Sequence, residues 1–250
     1  MRLFKLIGYG LVGLFVSACA APQPPVSLSQ NFFQNTPARV GLAISQPEAP
    51  TFSTEGDVRL LDMAIIATAM AQFKGHVATL DLADFQAVAK EVTDLLQQKG
   101  FVVKQISPAP DMEELPSFSD PNTKDSIYFA EKDMTRLASQ LGVDYLLSIN
   151  LYRAGFARPY SGFVPLAAPR AVFDIRGQLV DLRDNRLLWY AGIHKANSAE
   201  GNWDEPPNFP GLTNSYYVTL EQTKEAIVAT LANPVPTGSD KEQVAAKADK

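Results

Sequence analysis

The chain has 250 residues, of which 46% are hydrophobic, and its 22 basic and 27 acidic side chains give a formal charge of −5. This acidic balance argues against nucleic acid as a partner, because affinity for polyanions depends on basic groups that displace counterions from phosphates. The single cysteine excludes an internal disulfide and a thiolate zinc cluster. Burial of apolar surface must therefore stabilise the fold.

The first residues have the pattern of a secretory signal. Arg2 and Lys5 form a basic start, residues 6–16 are apolar and uncharged, and small residues precede Cys19. The apolar run is too short for a permanent transmembrane helix. The sequence therefore predicts a signal peptide over residues 1–18, and losing its two basic residues changes the formal charge to −7.

The signal ends in Val16-Ser17-Ala18-Cys19, which resembles the lipobox of bacterial lipoproteins. The resemblance implies cleavage before Cys19 and fatty acylation, such as palmitate, on its sulfur and its new amino terminus. Several acyl chains make a stable membrane anchor, whereas one is marginal. By the same resemblance Ala20, in the place of an aspartate, favours the Gram-negative outer membrane, with the protein facing the periplasm. The alternative is an inert cysteine in an ordinary secretory signal.

Composition divides the remainder into three parts. Residues 19–37 are rich in Pro, Gln, Ser and Asn, which predicts a lipidated flexible tether. Residues 38–232 have the length and apolar content of one globular domain. Residues 233–250 combine prolines with a charged, alanine-rich run, which predicts a disordered tail.

The first half of the domain predicts two strands and two helices. Alternating apolar residues predict a strand at 39–44, and a nearly continuous apolar run predicts a largely buried helix over 58–73. A clearer amphipathic helix follows over 82–96 and stops at Gly100. Residues 101–106 then predict a second strand.

The second half predicts consecutive strands between two helices. A helix over 134–141 leads into a strand over 143–151, and residues 173–179 and 187–193 predict a hairpin. A final helix covers 215–231. The fold class is therefore α/β of the mixed α+β kind, with helices packed on a mixed sheet and an antiparallel hairpin towards the carboxy terminus.

Two segments within residues 38–195 resemble a poorly characterised group of periplasm-facing lipoproteins. These are Gly142-Val143-Asp144-Tyr145-Leu146, and Leu179-Val180-Asp181-Leu182 with Leu187-Leu188-Trp189 after the turn. Such domains are similar in fold to the amino-terminal domain of TolB and to the periplasmic domains of CsgG and LpoB. The resemblance implies an accessory or assembly role in the envelope and carries no catalytic residues.

The sequence contains no recognisable catalytic or cofactor motif. His76 and His194 are far apart and lack a second ligand at a metal-binding spacing. Neither a glycine-rich phosphate loop nor a nucleophile elbow is present. Asp111, Glu113 and Glu114 could be read as paired carboxylates, but a solvated acidic loop is the simpler interpretation. We therefore predict no catalytic residue, no metal site, no cofactor and no enzyme activity.

Residues 156–165 and 202–210 are rich in aromatic residues and proline. Aromatic side chains and arginine are enriched in interface hot spots, and proline limits the entropy that a loop loses on binding. We therefore predict Tyr160, Phe163 and Trp203 as partner-binding residues. The alternative is that these rings cover the sheet or the core.

Together these patterns predict an outer-membrane lipoprotein that acts by protein contact, as an assembly or accessory factor for envelope proteins. Its partners would be the membrane, through Cys19, and other envelope proteins, and self-association is compatible with the same pattern. Two other classes stay open: a cell-envelope hydrolase with a dispersed active site, and a small-ligand binding module.

Overall fold

The computed structural model describes residues 23–119 and 126–235. The predicted signal peptide, Cys19 and the predicted tail from residue 236 onward lie outside the described residues. Five α-helices and seven strands make up the described fold, with short 3-10 helices at Gln30–Gln34 and Ala83–Gln86. The helices are α1 Leu60–Ala69, α2 Ala71–Val77, α3 Ala87–Gln98, α4 Leu137–Leu141 and α5 Pro210–Ala232. The strands are β1 Arg39–Ser45, β2 Thr51–Asp57, β3 Val102–Ile106, β4 Tyr145–Ser161, β5 Val164–Pro165, β6 Arg170–Asp181 and β7 Arg186–Ser198.

The strands form one mixed sheet in the order β3-β1-β4-β6-β7, with β2 and β5 also paired to β4. β1 runs parallel to both β3 and β4, whereas β6 is antiparallel to both of its neighbours, β4 and β7. The predicted α/β class and the predicted hairpin are confirmed. Parallel pairing in the first half requires crossover helices, and α3 supplies the one between β1 and β3.

Strand β4 extends to Ser161, well beyond the predicted strand over 143–151. Most of residues 156–165 therefore lie in strands, and not in the loop that their aromatic and proline content predicts. β4 pairs with β1 up to Asn150 and with β2 from Gly155 onward. Gly155 has φ +134°, and a Cβ atom at this position would overlap the backbone of Thr51. Glycine thus permits β2 to approach the second half of β4.

The main core lies between one sheet face and helices α2, α3 and α5. Tyr216 of α5 is fully buried there, where its ring lies 5.1 Å from that of Phe173 and its hydroxyl donates to the carbonyl oxygen of Asp81 at 2.9 Å. A smaller apolar cluster covers part of the opposite face, where Leu146 and Val180 of the sheet pack beneath Met134. The rest of that second face carries polar side chains.

Residues 23–37 pack against the body, unlike the flexible tether that their composition predicts. Val26 exchanges two backbone hydrogen bonds with Tyr190 at the free edge of β7, at 2.9 and 3.0 Å. The buried ring of Phe32 stacks on Phe101 at 4.6 Å. The average composition of the segment hides these few apolar residues, whose burial fixes the segment on the domain.

Helix α1 is exposed, so the predicted burial of the apolar run over 58–73 is wrong for its first half. Leu60 and Leu61 are 87% and 74% exposed, and only Ile66 of this helix is buried. Further along the run, α2 buries Phe73 and Val77 in the main core. Apart from Ile66, the large apolar side chains of α1 are therefore not buried by the described residues of the chain.

Candidate functional site

The three predicted partner-binding residues lie at one end of β4 but in different environments. Tyr160 is only 4% exposed, and Trp203 is half-buried against the main core. Both rings surround the buried guanidinium of Arg158, at 5.7 Å from Tyr160 and 4.9 Å from Trp203. Phe163 is 55% exposed. Only Phe163 thus presents most of its ring to a partner without rearrangement of the fold.

Phe163 belongs to an exposed apolar surface formed by helix α1 and the turn after β4, which we call the apolar tip. Its members are Leu60, Leu61, Met63, Ile65, Phe163, Val164 and Leu166. The two parts meet because the backbone nitrogen of Gly162 donates to the carbonyl oxygen of Asp57 at 2.9 Å, just before α1. Leu61 and Gly162 line the same shallow cavity of about 350 Å³.

The apolar tip is large for the surface of a monomer. Its seven side chains are between 43% and 87% exposed, which amounts to roughly 600–800 Å² if a whole large side chain contributes about 150–200 Å². The largest apolar patch of a typical monomer is about 300–600 Å², and a stable interface buries about 800 Å² per partner. A helix that is apolar on all sides is ordinarily buried. Exposed apolar surfaces of this size are typical of docking surfaces.

The rim of the apolar tip carries few charges. Asp57, Arg59 and Asp62 line the shallow cavity beside Leu61, and the Asp62 carboxylate accepts a hydrogen bond from the backbone nitrogen of Arg59 at 3.0 Å. Anionic lipid surfaces attract clusters of lysine and arginine. With two carboxylates and one guanidinium at its rim, the tip suits an apolar protein surface better than an anionic membrane.

A second feature, the polar groove, lies on the sheet face opposite the main core. It is a cavity of about 730 Å³ between the sheet and the segment that precedes α4, a volume within the usual range for ligand sites. Neighbouring strands supply two rows of polar side chains to its floor. One row is Ser45, Asn150 and Arg176, and the other is Ser148, Gln178 and Tyr190.

The guanidinium of Arg176, the cation of this floor, has no ion pair and no hydrogen bond with any group of the described ranges. Its guanidinium lies 5.7 Å from the ring centre of Tyr152, which packs against it as a cation–π partner. Beside it, the Ser45 hydroxyl donates to Oδ1 of Asn150 at 3.0 Å, so this bond leaves the Asn150 amide nitrogen free to donate. The groove therefore offers unused donors to a ligand.

A network of charged side chains continues along the same sheet face. The Glu55 carboxylate accepts hydrogen bonds from Arg153 at 3.0 Å and from Arg170 at 2.5 Å. Burial raises the pKa of Glu55, but these two hydrogen bonds outweigh burial and hold the pKa below its ordinary value. Arg153 also faces Asp174 at 3.5 Å, and Asp174 accepts from His194. These charges pair with one another, unlike Arg176.

The described residues do not assemble a recognisable catalytic centre. His76 shares a hydrogen bond of 2.8 Å with the Thr213 hydroxyl, and burial lowers the pKa of its imidazole. Within residues 23–119 and 126–235, no three His, Cys, Asp or Glu side chains form a group that could hold a metal ion. None of the helices in these ranges is long and apolar enough to cross a membrane.

Sequence reasoning identified only a few residues of the two surfaces, for identifiable reasons. The continuous apolar run of α1 predicts burial, but it does not distinguish burial in the core of the chain from burial against a partner. The polar groove combines Ser45 with residues more than 100 positions later, and only the strand pairing brings them together. Alternation of polar residues along β4 and β6 was visible, but it is equally typical of a solvated sheet face.

No protein-family model matches the chain, and no curated protein matches it in sequence. Similar solved structures include protein XCC0632 from Xanthomonas campestris, with 15% identity, a TM-score of 0.39 and coverage of 88% of this chain and 97% of that one. Lipoprotein GNA1162 from Neisseria meningitidis has 16% identity and a TM-score of 0.30, with coverage of 79% and 99%.

The carboxy-terminal domain of LpoB from Salmonella enterica is a further similar structure, with 14% identity, a TM-score of 0.18 and coverage of 66% of this chain and 89% of that one. Bacterial lipoproteins are thus among the structural neighbours. At these identities and TM-scores the similarity assigns neither a family nor an activity to this chain.

Proposed function

We propose that this chain is a lipid-anchored protein of the bacterial envelope that acts by protein contact through the apolar tip, as an accessory or assembly factor. The anchor is Cys19, acylated after removal of residues 1–18, and the location is the periplasmic side of the outer membrane. The observation that carries the contact role is the exposure of Leu60, Leu61 and Phe163, on two segments that meet where Leu61 and Gly162 line one shallow cavity.

Two physical arguments support protein contact over catalysis. A surface of this apolar area costs free energy while it faces water, since burial of apolar area is worth about 25 cal/mol per Å². A catalytic role would need titratable groups gathered with perturbed pKa values in a cleft. On the open sheet face, the carboxylate of Glu55 is instead paired with Arg153 and Arg170.

The proposal is tested by replacing two apolar residues of the tip in the full-length protein. Leu61→Asp with Phe163→Ser places a charge and a hydroxyl in the tip, and co-purification of envelope proteins after crosslinking in cells should fall at least tenfold. Tyr152→Ser is the matched control, because Tyr152 is an exposed aromatic residue outside the tip. Capture by this control should equal that of the wild-type protein.

Thermal unfolding distinguishes loss of contact from loss of fold. The tip side chains are exposed, so the double substitution should leave the unfolding temperature nearly unchanged. Undiminished capture by a well-folded tip variant would refute the tip as the contact surface. A variant that unfolds would show that the tip belongs to the core, and the proposal would then be wrong.

A further inference from the structure

The polar groove lies close to the point where the proposed lipid anchor begins. Gln23 lines the groove, and its side-chain amide donates to the carbonyl oxygen of Ile127 at 2.8 Å. Three residues further, Val26 is fixed to the edge of β7 by two backbone hydrogen bonds. Cys19 is only four residues before Gln23, and four residues span at most about 14 Å. An acylated Cys19 therefore holds this side of the domain next to the lipid headgroups.

The walls of the groove carry charges of both signs on separate elements. The sheet supplies the unpaired guanidinium of Arg176, whereas the segment across the groove supplies the carboxylates of Asp111, Glu113 and Glu131. Among the described residues that line that wall, the one ammonium group is that of Lys132, which donates to two backbone carbonyl oxygens at 3.3 Å. A ligand thus meets a free cation on one side and carboxylates on the other.

This charge arrangement selects among the classes of ligand that a membrane surface offers. A simple anion would gain from Arg176 but would face three carboxylates. A purely apolar ligand would displace water from polar side chains such as Asn150 and Gln178. It would offer these side chains no hydrogen bonds in return, which costs free energy. A zwitterion with a phosphate at one end and a primary amine at the other satisfies both walls, because guanidinium groups and carboxylates bind these groups by charge-assisted hydrogen bonds.

We propose that the polar groove binds a phosphoethanolamine group, with the phosphate on Arg176 and the amine on the carboxylate wall, and that membrane phosphatidylethanolamine supplies it. The inference rests on the acylation of Cys19 proposed above, since the short connection to Gln23 places the groove at the bilayer. It is independent of the apolar tip, because the groove and the tip share no residue.

Native mass spectrometry of the full-length lipoprotein, purified in detergent from envelope membranes, tests this site. Titration with short-chain phosphatidylethanolamine should give one bound lipid per protein, and Arg176→Gln should weaken binding roughly 10- to 100-fold, the loss expected for one charged hydrogen bond. Lys74→Gln removes an exposed cation of α2 that does not line the groove, and it should leave binding unchanged. Glu131→Gln removes one carboxylate of the wall proposed to bind the amine. The ratio of the affinity for phosphatidylethanolamine to that for phosphatidylglycerol should therefore decrease.

The remaining arms identify the source of the ligand and can overturn the proposal. Water-soluble phosphoethanolamine should compete but bind more weakly than the lipid. Binding equal to that of the lipid would overturn the membrane source and assign the groove to a soluble phosphoamine. Equal binding of phosphatidylglycerol would refute the role of the carboxylate wall, and binding unaffected by Arg176→Gln would refute the site. The same spectra report the acyl mass on Cys19, so failure of the anchor is distinguishable from failure of the groove.

Discussion

Trp189 and Gly177 form a contact in the β6–β7 hairpin on which the stability of the domain should depend. Trp189 is only 2% exposed and packs in the main core, and its ring lies over Gly177 so closely that a Cβ atom there would overlap ring carbons. Trp189→Ala should therefore lower the free energy of unfolding by about 3–5 kcal/mol. Gly177→Ala should lower it by about 1–3 kcal/mol, because the ring must move out of a packed position.

Combining Trp189→Ala with Gly177→Ala shows whether the effect of Gly177→Ala comes from this contact or from a general intolerance of the strand to substitution. Once Trp189 is alanine, the methyl group of Gly177→Ala enters vacated space, and alanine is better than glycine inside a strand by roughly 0.5–1 kcal/mol. The effect of Gly177→Ala should then change sign. Urea denaturation followed by circular dichroism measures each free energy of unfolding. Equal destabilisation by Gly177→Ala in both backgrounds would refute the contact.

Two further predictions concern polar groups. The Tyr160 hydroxyl is buried without a hydrogen-bond partner among the described residues, so Tyr160→Phe should raise the free energy of unfolding by about 1 kcal/mol in urea denaturation, and a decrease would show that the hydroxyl is bonded. The pKa of Glu55 is lowered in the folded protein, because the hydrogen bonds from Arg153 and Arg170 outweigh the effect of burial. The ionised Glu55 carboxylate therefore stabilises the fold above pH 4.5, and this stabilisation is lost as the pH falls towards the lowered pKa. Arg153→Gln should make this acid loss smaller, and identical loss in the two proteins between pH 5 and 3 would contradict the pairing.

The regular elements with a one-sided core could be predicted from the sequence. Ile175 and Leu179 of β6 alternate with polar residues and face the main core, and α3 buries Val88, Val92 and Leu96 at helical spacing. Such patterns arise because one face of each element is covered. Strand β2 escaped prediction because Phe52 is the only large apolar residue in Thr51–Asp57, and its pairing with β4 depends on Gly155, a hundred positions later.

The candidate surfaces could be predicted only in part. The aromatic content of residues 156–165 indicated the end of β4 at which we propose the contact surface, and Phe163 is one of the exposed residues of the apolar tip. Composition could not separate Phe163 from Tyr160, because only the fold buries the Tyr160 ring, which lies 5.7 Å from the Arg158 guanidinium. Nor could it show that residues 23–37 are packed, which sets the distance between Cys19 and the polar groove.

Both proposals depend on the acylation of Cys19, and metabolic labelling with a fatty-acid analogue tests it most directly. The wild-type protein should carry the label and sediment with outer membranes, and its peptide spectrum should begin at an acylated Cys19. Cys19→Ala should abolish the label and leave the uncleaved precursor or soluble periplasmic protein, since the chain contains no other cysteine. Unchanged mass and equal membrane retention of the variant would contradict the account.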